Sequence, residues 1–194
     1  MKELLVVIDM VNGFINTGAL ADKNIDKITP NIEKCIENAK EKHIPIIAFR
    51  DCHTENDKEF DVFPPHCIEG TIESELIPSL KKYENDMVLI NKNTTNGFET
   101  KKFQLIAKNY NFDRVIVVGC CTDICVQAFV ESFLEFNKNC NRKTQICVLE
   151  NACYTFNGEN HNAEIEHQKA LIHMQHLGAT IGHLKTKKDL ELGQ

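Results

Sequence analysis

VIVVGCCTDICVQAFV, residues 115–130, decides the fold. Val115–Val118 is an uninterrupted β-branched run, the composition of a strand covered on both faces, and Gly119 ends it. The period then changes. Val126, Phe129, Val130 and Phe133 recur at helical spacing, so the chain passes from buried strand to amphipathic helix within a few residues. The same unit repeats along the chain. Leu4–Ile8, Ile44–Phe49 and Ile146–Leu149 are similar apolar runs, and Met87–Ile90 and Thr180–Ile181 are weaker ones. Helical patterns lie between them. One opens with Thr29 as N-cap and Pro30 as the first helical residue, and carries Ile32, Cys35, Ile36 and Ala39 on one face. Others cover Thr100–Tyr110, Asp123–Asn137 and Ala163–His176, the last stopping before Gly178. The alternation predicts an α/β fold: a three-layer α/β/α sandwich on a mainly parallel sheet of about six strands with right-handed crossovers. One domain over residues 1–194 is expected.

Composition narrows the function. Apolar residues make up 42% and charged residues 26% of the 194, the balance of a globular chain rather than a disordered one. A net charge of −6 argues against a nucleic-acid or anionic-membrane partner. The densest basic run, Lys185–Lys188, reads as a solvated end. Nine cysteines could suggest disulfides, but the count is odd, Cys120 and Cys121 are adjacent, and Met1, Lys2 and Glu3 lead straight into a strand rather than a signal peptide. Reduced thiols and a cytoplasmic location are the expectation. No apolar run is long enough to cross a bilayer. There is no GxGxxG, Walker or GxSxG pattern, so nucleotide binding and a serine elbow have no support.

Chemistry concentrates at the ends of the apolar runs. Thr122 is placed as a helix N-cap, which puts Cys125 in the first turn. The amides and dipole there favour a thiolate, able to lower a thiol pKa from ~8.5 to roughly 3.5–7.5, and could receive an oxyanion. The alternative is a small core cysteine. Asp9 ends the first run, either as a turn cap or as the base that takes the thiol proton. Lys92 follows Met87–Ile90 and could hold both charges in place, or simply lie on the surface. Two long segments, Asn12–Thr29 and Asp51–Ser74, leave strand ends where open α/β sheets place ligands. In the second, Asp51 and His53 point the same way in extended chain, and Glu59 and His66 could complete a site for Zn²⁺, Fe²⁺ or Mn²⁺. Cys52 and Cys67 are the alternatives, and plain solvation is the competing reading. His167, His173 and His176, at helical spacing, are expected on the surface or at an interface.

These segments together resemble the isochorismatase-like cysteine hydrolases, specifically their nicotinamidase branch, over nearly the whole chain. LLVVIDMVNGFI resembles the opening strand with the catalytic Asp, NKNTTNGF the segment with the catalytic Lys, and GCCTDICV the nucleophile motif. The resemblance therefore implies a triad of Asp9, Lys92 and Cys125, a cis Cys120–Cys121 peptide, and an oxyanion hole from the amides of Cys121 and Cys125. DCH and FPPHCIEGT look like the branch's metal loop, implying Asp51, His53 and His66 as ligands, with Glu59 standing where many members have a third histidine and Asp57 and Asp61 as competitors. Phe14 and Phe63 match the ring-sandwiching positions. The implied reaction is nicotinamide to nicotinic acid and ammonia through a Cys125 thioester, a step of NAD salvage, with a divalent metal, Zn foremost, on the pyridine nitrogen. Relatives often form homo-oligomers. Three other readings stay open: a sister amidohydrolase for acyclic or carbamoyl substrates, a non-catalytic thiol sensor, and a phospho-accepting receiver-like domain. The last usually wants an acidic neighbour where Met10 follows Asp9.

Overall fold

The computed structural model describes residues 1–185. Six strands form one parallel sheet: β1 Glu3–Ile8, β2 Ile46–Asp51, β3 Val88–Lys92, β4 Arg114–Cys120, β5 Gln145–Tyr154 and β6 Thr180–Gly182. Six α-helices accompany them: α1 Asn12–Ile15, α2 Thr29–Glu41, α3 Pro78–Lys81, α4 Lys101–Asn109, α5 Gln127–Asn139 and α6 Ala163–Leu177. A π-helical turn, Thr122–Val126, joins β4 to α5. The basic run read at Lys185–Lys188 lies, beyond its first residue, outside the described residues.

Alternation along each strand divides the core. Leu5 and Val7 face one side with Ile32, Ile36 and Ala39 of α2, Ile15 of α1 and Leu80 of α3. Leu4, Val6 and Ile8 face the other with Phe103 of α4, Phe129 and Phe133 of α5 and Leu171 and Met174 of α6. The second layer is aromatic: Phe103 and Phe129 lie 5.0 Å apart edge to face, and Phe49 reaches Phe103 at 5.4 Å. Such pairs contribute roughly 0.5–1.5 kcal/mol each beyond the area they bury.

Strand order is β3-β2-β1-β4-β5-β6. The chain winds outward on one side of β1 and then returns to wind outward on the other. The crevice at β1 and β4 is thus the topological switch point, where parallel α/β sheets hold ligands. At that junction Gly119 pairs with Ile8 and has φ +123°, and a Cβ there would collide with the Ile8 backbone. Only glycine lets the two central strands stay paired to their ends.

Local details differ from the sequence expectations. Thr29 is the first residue of α2 and not its cap, because a 3-10 turn, Lys23–Ile28, runs directly into the helix. Its hydroxyl donates to Asp26 Oδ1 at 2.9 Å. Strands β2, β3 and β4 extend to Asp51, Lys92 and Cys120, so residues expected just past the strands belong to their last ladder positions. Thr100, expected within the helix, instead caps α4 by accepting from the Phe103 amide, and Gly178 ends α6 at φ +112°.

Candidate active site

Four strand ends converge. Asp9 follows β1, Asp51 and Lys92 close β2 and β3 as a register pair, and Cys120 closes β4. All four are buried. Asp9 adopts left-handed backbone at φ 52°, uncommon for a residue with a side chain and most often found where surrounding structure dictates it. The surroundings do so here: the Asp9 amide donates to Phe49 O at 3.1 Å, and the Cys120 thiol donates to Asp9 O at 3.2 Å. The Cys120–Cys121 peptide is cis, as the resemblance implied.

Lys92 is the hub. Its Nζ lies 2.8 Å from Asp9 Oδ2 and 2.8 Å from Asp51 Oδ1, donates to Thr94 O at 3.0 Å, and sits 3.8 Å from Cys125 Sγ. Burial alone would lower its pKa, but Asp9, Cys125 and Asp51 hold it well above the ordinary lysine value. Asp51 is the reverse case. Burial disfavours its charge, yet Lys92 and hydrogen bonds from His53 and His66 keep it well below the usual carboxylate range. Asp9 is pushed up to about 6, chiefly by desolvation against the pull of Lys92. Its two oxygens accept no well-aligned hydrogen bond, which leaves lone pairs for a proton. A buried carboxyl of this kind can both take and return a proton near neutrality.

Cys125 corrects an expectation. Burial, reinforced by the Asp9 charge, raises its thiol pKa well above the ordinary value despite Lys92. The helix-terminus argument predicted the opposite. Desolvation of the buried sulfur is the largest cause, and a π turn replaces the expected first α-turn. The resting pattern is thiol, carboxylate and ammonium.

The loop after β2 supplies a second cluster. Asp51 Oδ2 lies 2.9 Å from His53 Nε2 and 3.1 Å from His66 Nε2, and one ligand atom from each of the three residues falls within 4.8 Å of the others. Pro64 O accepts from His66 Nδ1 at 2.8 Å, so that a bound cation, in place of the Nε2 proton, would find the Nε2 side of the ring turned toward the cluster. Glu59 Oε2 is 3.4 Å from His53 Nε2, buried and without a hydrogen-bond partner. Two imidazoles and a carboxylate, beside an orphaned second carboxylate, fit a divalent cation of the zinc type. Asp57 Oδ2 instead approaches Nδ1 of His53, at 3.3 Å, and accepts from the Thr54 amide. Asp61 is exposed, and neither Cys52 nor Cys67 joins the group.

Both clusters open on one cavity of about 50 Å³ lined by Asp51, Glu59, His66, Cys121 and Cys125 and walled by Phe14 and Phe63. It continues into an outer chamber of about 240 Å³ through Leu20 and Ile124 to Phe156. The sequence reading missed three features. His167 is buried, not superficial, and bonds Thr122, which therefore does not act as a cap. Cys120 supports Asp9. His161 bonds Asp123 at 2.7 Å and stacks on Phe156 at the chamber mouth. His173 and His176 are exposed, as expected.

Comparison with known proteins agrees with this architecture. Residues 3–182 match the isochorismatase domain model. Nicotinamidase 1 of Arabidopsis thaliana is 34% identical, the alignment covering 92% of this chain and 79% of the relative. A pyrazinamidase/nicotinamidase of Streptococcus mutans UA159 superposes with a TM-score of 0.80 at 27% identity, covering 93% of this chain and 99% of that one. The pyrazinamidase of Pyrococcus horikoshii in complex with zinc gives 0.79 at 28% identity, covering 95% and 100%. This chain belongs to the isochorismatase family, within its nicotinamidase-like branch of amidohydrolases.

Proposed function

We propose that this protein hydrolyses nicotinamide to nicotinic acid and ammonia, a step of NAD salvage in the cytoplasm, within one domain spanning the chain. The observation that carries the reading is Lys92 bridging Asp9, Asp51 and Cys125, which ties a nucleophile cluster to a metal-competent one across a single small cavity.

Asp51, His53, His66 and Glu59 would hold the cation, zinc by donor set. When bound, it supplies a Lewis-acid contact for a pyridine nitrogen. Phe14 and Phe63 flank the ring and keep water from its faces. The carboxamide then lies against Cys125. Asp9 accepts the thiol proton as Sγ attacks the carbonyl carbon, while Lys92 offsets the charge on sulfur. The amides of Cys121 and Cys125 receive the oxyanion. Asp9 returns the proton to the departing nitrogen, and ammonia leaves behind a thioester. Water, deprotonated by the same carboxylate, cleaves the thioester to the acid and restores the thiol.

Ammonia release from nicotinamide should be rapid, fall after chelation and return on zinc, iron or manganese add-back. No release from the metal-loaded protein, with release from a carbamoyl amide instead, would overturn the nicotinamide assignment.

A further inference from the structure

We infer that His167 is a positioning residue for hydrolysis, acting through Thr122 to hold the turn that presents Cys121 and Cys125. This rests on the reading of Cys125 as nucleophile.

His167 lies on the inward face of α6 with Ala163, Ala170, Leu171 and Met174 and is 5% exposed. A polar ring in such a place is costly unless it bonds something. Its Nδ1 shares a 2.8 Å hydrogen bond with the Thr122 hydroxyl, itself fully buried. Thr122 stands at the hinge of the turn. It directly follows the Cys120–Cys121 peptide and opens the π turn that ends one residue past Cys125. The Cys121 carbonyl accepts from Ile124 N and Val126 N at 3.1 Å each, and the Thr122 carbonyl accepts from Gln127 N. Fixing the Thr122 side chain, already stiff at χ1, fixes the backbone between the two cysteines. Neither Thr122 nor His167 lines either chamber of the active-site cavity, so the pair has no direct part in binding substrate.

A second observation makes the idea testable. His167 also lines a separate surface groove of about 460 Å³, with Lys27, Tyr154, Glu164 and Gln168. Removing the imidazole therefore leaves a vacancy reachable from solvent on the side away from substrate. Burial lowers the His167 pKa, which favours the neutral ring, the form in which free imidazole would replace it.

His167→Ala and Thr122→Val should each lower kcat for ammonia release on the order of 10²-fold, the scale of a slight misplacement of reacting groups, with KM within about twofold. Added imidazole should restore His167→Ala about tenfold or more and leave Thr122→Val unchanged, since the latter lacks the hydroxyl to be held. Thr122→Ser should keep most of kcat. Unchanged kcat in Thr122→Val, or a His167→Ala defect that imidazole does not relieve, would overturn the inference. If His167→Ala does not fold, the Ser and Val variants decide it. Alkylation of Cys125 by iodoacetamide, followed on its peptide, reads the same turn without substrate and should show the same imidazole dependence. Wild-type protein that releases no ammonia would end the nicotinamide reading, while the alkylation arm still tests the turn.

Discussion

The two clusters that meet at Lys92 are balanced in opposite ways. Asp9, Lys92 and Cys125 are complete within the protein: one anion, one cation and a protonated thiol, all buried, with burial and mutual charge setting each pKa. Asp51, His53, Glu59 and His66 are incomplete. Their potential ligand atoms crowd together, Glu59 keeps an orphaned buried oxygen, and a cation would satisfy the group. The ends of β1 and β3 and the turn after β4 carry the self-sufficient half of the site, while the end of β2 and the loop that follows carry the half that depends on something bound. Lys92 belongs to both, because Asp51 gives it one carboxylate oxygen and turns the other toward the histidines.

Experiments can pull the halves apart. Cys125→Ala should have the largest effect, lowering ammonia release on the order of 10⁴-fold or more while metal content and thermal midpoint stay at wild-type values. Turnover near wild type would remove the nucleophile from the argument. Lys92→Met should injure both halves at once. It strands two buried carboxylates, so unfolding free energy should drop by about 3–5 kcal/mol as measured by denaturant titration, with activity lost as well. A variant as stable as wild type would show that Lys92 is no bridge. Glu59→Gln should touch the loop alone, weakening metal affinity by about tenfold to a hundredfold while the Cys125 alkylation rate holds. Equal metal affinity would return Glu59 to a solvating role.

The smallest effect lies outside both halves and serves as a control. His161 is drawn toward burial, which lowers its pKa, but its bond to Asp123 and the Phe156 carbonyl raise it overall. Its contribution to stability is full below the unfolded imidazole value and fades as pH rises through the higher folded one. The stability gap between wild type and His161→Gln should therefore be larger near about pH 5.5 than near about pH 8.5, by under about 1 kcal/mol. A gap that widens with pH would contradict that pairing, and ammonia release should report little of either.

Much of this could be read from residues alone, for definable reasons. Asp9 and Lys92 stand out because each closes a run of apolar residues, and alternation in extended chain forces Asp51 and His53 to one side. What escaped the sequence depends on packing between distant segments. His167 meets Thr122 only because α6 lies against the β4–α5 turn, 45 residues away along the chain. The spacing of His167 with Ala170, Leu171 and Met174 was the available signal, a histidine on an otherwise apolar helix face. The thiol pKa was misjudged for a related reason. Dipole arguments are local, whereas desolvation depends on everything that closes over the sulfur.

The tight passage at Gly119 bears on any attempt to redirect this catalyst. With no room for a methyl group between it and Ile8, the central strand junction offers nothing to a mutational library. Diversity belongs at Ala19 and Phe156, residues from separate segments that line the outer chamber but not the inner cavity. An evolving lineage could retailor its vestibule there while inheriting the inner machinery untouched.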